Sequence, residues 1–90
     1  MSVVKKSIME NRQIIGKIIR KLRRGQTTDI TQKDVSKGLG FSQPVFQQRI
    51  ETGKRHLDVA ELWEICKFLN LSFTDVAAQI EDALSQLSDS

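Results

Sequence analysis

The residues of this chain best suited to chemistry lie in the run QPVFQQR, from Gln43 to Arg49. A glutamine amide carries a donor and an acceptor together, so it can pair bidentately with the edge of an adenine. Gln43 and Gln47 stand four residues apart and share one face of a helix, with Gln48 and Arg49 flanking that face. Phe46 and Ile50, also four apart, share the face that should meet a core. A helix that is apolar inward, amide-rich outward and low in net charge suits base reading in a major groove better than bare phosphate holding. The plainer alternative is a solvated face with glutamines as neutral helix formers. Three glutamines with Arg49 behind a glycine turn weigh against it.

Other chemistries find little support. One cysteine, Cys66, and one histidine, His56, cannot supply the three protein ligands that a zinc site needs. A lone thiol builds no disulfide framework, which fits a reducing, cytoplasmic setting. Cys66 reads as a small buried hydrophobe. Glu81 and Asp82 are adjacent on a helix, so they point in different directions and form no acid–base pair. No nucleophile–base pairing and no phosphate loop is visible, so neither an enzyme nor a cofactor is expected. The chain has no apolar run of about 18 residues and no secretory signal, so no membrane partner is expected either.

The net charge of +3 conceals a partition. Residues 1–55 sum to +9, whereas residues 56–90 sum to −6. A basic half joined to an acidic half implies a polyanion-binding face on the first three helices.

Five helical segments position these residues, four of them opened by a capping-box pattern. Ser7 to Glu10 opens the first, where Ile14, Ile15, Ile18, Ile19 and Leu22 make an apolar stripe opposite a basic face; Gly25 ends it. Thr31 to Asp34 caps the second, which stops at Gly38. Gly40, in the turn Leu39-Gly40-Phe41, is free to take positive φ. Ser42 is the expected cap of the third helix, with Pro44 in its first turn and Val45, Phe46 and Ile50 apolar, and Gly53 ends it. Asp58 to Glu61 caps the fourth, whose buried face reads as Val59, Leu62, Trp63, Ile65, Cys66 and Leu69. Ser72 to Asp75 caps the fifth. The fold class is all-α: a flexible arm at 1–6, a domain at 7–71 and a C-terminal helix at 72–90.

Thr31-Gln32, Gly40, Ser42, Ile50-Glu51 and Gly53-Lys54-Arg55 resemble the Cro/repressor helix-turn-helix family, also called XRE or lambda-repressor-like. The resemblance covers about residues 11–71. It implies a five-helix DNA-binding domain with the helix-turn-helix at the second and third helices. It further implies a prokaryotic or phage transcription regulator, of repressor type, located with the nucleoid in the cytoplasm. Carried onto matching positions, it implies base contacts from Gln43, Gln47, Gln48 and Arg49. Phosphate contacts are implied for Gln32, Ser42, Lys54 and Arg55, and a structural ion pair for Arg23 and Glu51. Nine steps separate Ser42 from Glu51, one more than the family normally has. An extra helical residue rotates every later side chain by about 100° around the axis. Either the turn absorbs it or the recognition helix starts later, so Gln47, Gln48 and Arg49 all stay in play.

Double-stranded DNA is thus the expected partner, bound by a homodimer whose interface falls on Ile80, Ala83, Leu84 and Leu87 of the fifth helix. A different class of function is an antitoxin-like protein-binding module, in which the acidic C-terminal helix clasps a protein partner.

Overall fold

The computed structural model describes residues 3–88, with side chains placed for residues 6–86. The chain is all-helical. It runs α1 (Val3–Arg24), α2 (Gln32–Gly38), α3 (Val45–Glu51), α4 (Val59–Phe68) and α5 (Phe73–Ser88), with no strand among the described residues. Helix α1 starts at Val3, upstream of the Ser7–Glu10 pattern, which therefore lies inside the helix and caps nothing. Of the expected arm, residues 3–6 are helical backbone; residues 1 and 2 lie outside the described residues.

The caps explain most other boundaries. Thr31 and Asp34 form a reciprocal capping box, as do Asp58 and Glu61. Ser72 Oγ accepts the Asp75 N–H at 3.3 Å to open α5. Helices α2, α3 and α4 end alike, on a residue of positive φ: Gly40 (90°), Gly53 (76°) and Asn70 (57°). In each, the next N–H reaches back to the carbonyl five residues earlier: Phe41 to Ser36, Lys54 to Arg49, Leu71 to Cys66. This closes the helix and satisfies carbonyls that would otherwise be orphaned.

The core gathers Ile19, Val35, Phe46, Ile50, Ile65 and Leu69, all nearly inaccessible, with Ile15, Ile30, Leu39, Leu57, Leu62 and Leu71 packed around them. Helix α1 lies against α3 and α5, α2 against α3 and α4, and α4 against α5. The α1–α3 approach is close because residue 16 is glycine. A Cβ there would sit 2.5 Å from the Ile50 carbonyl oxygen and 2.6 Å from that of Glu51. Three apolar residues expected inside are outside. Val59 is 71% exposed, Trp63 50% and Val45 38%. Trp63 instead lies against Phe73 of α5, the ring centroids 5.7 Å apart and tilted by 56°. Cys66 is buried, as expected, and burial pushes its thiol pKa up.

Candidate nucleic-acid interface

The helix carrying the glutamines is held from three directions. Its N-cap is Pro44, not Ser42, and Pro44 has no side chain with which to cap. The duty passes to Ser36 on α2. Its buried hydroxyl accepts the Gln47 backbone N–H at 3.0 Å and donates to the Pro44 carbonyl at 3.0 Å. One side chain thus satisfies a first-turn N–H of α3 and fixes the helix to α2.

At the other end, Glu51 anchors α3 to α1. Arg23 donates to it bidentately, Nε to Oε2 at 2.7 Å and Nη2 to Oε1 at 3.0 Å. The Gln32 amide donates to Oε1 at 2.9 Å and the Gln47 amide to Oε2 at 2.9 Å. Arg23 also donates to the Ile30 carbonyl at 2.8 Å, which pins the α1–α2 loop. The Glu51 side chain is 1% exposed. Burial alone would raise its pKa. The hydrogen bonds from Arg23, Gln32 and Gln47, with the Arg23 charge, outweigh burial and hold it below the ordinary carboxylate range.

The Arg23–Glu51 pair is therefore present, and it recruits two residues that the family resemblance assigns to DNA. Gln47 is 0% exposed, so it cannot reach a base edge; its role is to hold Glu51. Its Oε1 has no hydrogen-bond partner among the described residues, because the Glu51 carboxylate dictates which end of the amide faces it. Gln32 gives one of its two amide N–H groups to Glu51, which ties it to the same network.

Arg55 also departs from its expected role. Both of its terminal nitrogens are bound to Glu61, at 2.9 and 2.8 Å, and one also donates to the His56 carbonyl at 3.0 Å. Its guanidinium lies 4.7 Å from the centroid of the Phe46 ring, and Phe41 stacks on that ring at 3.9 Å. The arginine therefore clamps α3 to the start of α4 and is not a free phosphate ligand. The backbone N–H groups of Gly53, Lys54 and Arg55 are also consumed, closing the end of α3.

The outward face of α3 is a coherent stripe. Val45, Gln48, Arg49 and Thr52 are spaced i, i+3, i+4 and i+7, with Gln43 and Ser42 exposed just ahead in the turn. The side chains of Gln43, Gln48 and Arg49 enter no hydrogen bond or ion pair among the described residues. Lys33 and Lys37 of α2 border the groove that Phe41, Ser42 and Pro44 also line. Lys54 is exposed at the opposite end of α3. Sequence reasoning misses the outward placement of Val45, Lys33 and Lys37, although the same spacing argument anchored on Glu51 exposes Val45. Searches of protein-family models, curated proteins and solved structures each found no match to this chain.

Among the described residues, no group of three or more His, Cys, Asp or Glu side chains is placed to hold a metal ion. No described helix is long and apolar enough to cross a membrane.

Proposed function

We propose that this protein is a sequence-specific binder of double-stranded DNA that regulates transcription, with α2, the 39–44 turn and α3 acting as a lambda-repressor-like helix-turn-helix. The observation that carries the reading is the outward stripe of α3. Amide, guanidinium and methyl groups stand free on one face, while the polar side chains of the opposite face are tied into the Glu51 network. Gln48 and Arg49, with Gln43 from the turn, can address base edges, and the Val45 methyls suit a thymine methyl. Lys33, Lys37, Ser42 and Lys54 flank the stripe where phosphates would run. The rigid seat made by Ser36 and Glu51 supports the same reading, because base discrimination depends on fixed donor positions.

A homodimer would set two such helices one DNA turn, ~34 Å, apart. Ile80, Ala83 and Leu84 of α5 are half-buried within their own chain, since α5 packs on α1 and α4. The Leu87 side chain lies outside the described residues. A dimer contact through α5 would therefore use its outer margin.

Selection of bound duplexes from a random library at about 150 mM salt tests the proposal. A recovered motif, with palindromic half-sites ~10 bp apart for a dimer, is the expected result. Arg49→Ala or Gln48→Ala should then cost ~1–3 kcal/mol on the selected site and relax preference at one position. A library that returns no motif would refute sequence reading by α3.

A further inference from the structure

Helix α1 carries more positive charge than the fold consumes. Arg23 is spent on Glu51, but Lys17, Arg20, Lys21 and Arg24 are exposed and enter no ion pair among the described residues. No acidic residue occurs anywhere from 11 to 28 to neutralise them. Gln13, Lys17, Arg20 and Arg24 are spaced i, i+4, i+7 and i+11, so they follow one line down the helix, with Lys21 beside it. Lys17, Arg20, Lys21 and Arg24 also line one shallow groove on α1 that ends at Gly25.

This line runs into the α3–α4 loop. Gly53 rests directly on Gln13: a Cβ at residue 53 would lie 2.8 Å from the Gln13 Cα. Lys54, exposed, is the next residue. The loop that closes α3 therefore joins the basic line of α1 to the flank of the base-reading helix. From Lys17 to Arg24 the line extends ~10 Å along the helix axis.

We infer that the Lys54 loop and the α1 line of Lys17, Arg20, Lys21 and Arg24 form a phosphate track that holds the backbone of duplex DNA beyond the α3 contact. The inference rests on the DNA-binding reading only in taking a duplex as the polyanion. The surface is made of cations with no exposed aromatic or aliphatic anchor among them, whereas protein interfaces deplete lysine and are centred on such anchors. A membrane surface would require the apolar side of α1, and Ile15 and Ile19 on that side are committed to the core.

The test compares the full chain with the fourfold variant Lys17→Gln, Arg20→Gln, Lys21→Gln, Arg24→Gln, after circular dichroism shows equal helix content. All four positions are exposed and glutamine is a good helix former, so the fold should survive. Affinity for a duplex of unrelated sequence is measured across salt, from about 50 to 200 mM. Each lost phosphate contact should make the log–log slope shallower by about 0.9, giving a loss of ~2–4 for the set. Arg49→Ala serves as the contrast, altering discrimination between duplexes more than slope. An unchanged slope overturns the track. So does an unchanged slope with lost self-association in sedimentation, which would assign the stripe to the acidic half of a second copy. A wild-type chain that binds no duplex at about 50 mM salt overturns it as well. A shallower slope in a protein with no sequence preference would retain the track and remove the base-reading role of α3.

Discussion

At the scale of single residues, the decisive pair is Glu51 and Gln47. They lie four apart in α3, so a buried Glu51 brings Gln47 to the same inward face. The sequence contains that inference once Glu51 is paired with Arg23; treating Gln43 and Gln47 as one outward face hides it. Gln47→Ala should therefore act on stability and leave base preference alone. It removes a donor from a carboxylate that is 1% exposed and opens space in the core, and should cost ~1–3 kcal/mol in urea unfolding. Gln47→Leu should be milder, since it also removes the unpartnered Oε1. A selected-to-unrelated affinity ratio that collapses in either variant would return Gln47 to the bases. Acid should act on the same network. The Glu51 pKa is depressed in the folded chain, so its stabilisation is complete above the ordinary carboxylate value, about 4.3, and drains away as pH falls through the folded value. Glu61 and Asp34 are depressed too, the first chiefly by its Arg55 hydrogen bonds and the second by the Thr31 backbone. Glu51→Gln should thus flatten, without abolishing, the loss of stability between neutral pH and pH ~3, read by urea midpoints.

At the scale of elements, α3 is short and weakly founded on its own. Its seven residues hold Pro44 at the N-cap with no side-chain cap, and such a helix is marginal alone in water. Ser36 makes up the deficit from the neighbouring helix. Nothing in the sequence near Ser36 marks that role, because the hydrogen bond spans eleven positions and exists only once α2 and α3 cross. The helix ends, by contrast, are legible. Thr31–Asp34 and Asp58–Glu61 are local patterns, and Gly40 and Gly53 sit where a left-handed residue must close a helix. The start of α3 is less legible: the helix begins at Val45, three residues after the Ser42 that reads as its cap. Ser36→Ala should strand a buried N–H at Gln47. A loss of ~1–3 kcal/mol is expected, lowering the melting temperature by ~4–8 °C per kcal/mol in a domain of this size. Ser36→Thr, which keeps the hydroxyl, should recover part of the loss if the cap is the cause. Equal melting of Ser36→Ala and wild type would show that α3 does not depend on this cap.

At the scale of the whole molecule, α1 is the spine. Its 22 residues extend ~33 Å, close to the longest dimension of the fold, 36 Å. One side of it carries cations that enter no ion pair among the described residues, while the acidic half of the sequence forms α4 and α5, the latter packed on α1 itself. The apolar partition is less legible, for a physical reason. Periodicity identifies the centre of a buried stripe, here Leu62, Ile65, Cys66 and Leu69, but the margin is buried only if another element covers it. Helix α5 packs on α4 and meets Trp63 through the ring of Phe73, with Trp63 still half exposed and Val59 more so. This makes the single tryptophan a reporter of what else meets that flank. In the isolated folded chain its emission should resemble that of a solvated indole and be readily quenched by acrylamide, with only a small shift on unfolding. If a second copy binds over the α4–α5 flank, the emission should move to the blue and resist quenching as protein concentration rises, and revert on dilution. Blue, protected emission that persists at the lowest measurable concentration in a sedimenting monomer would contradict the exposed placement of Trp63 itself.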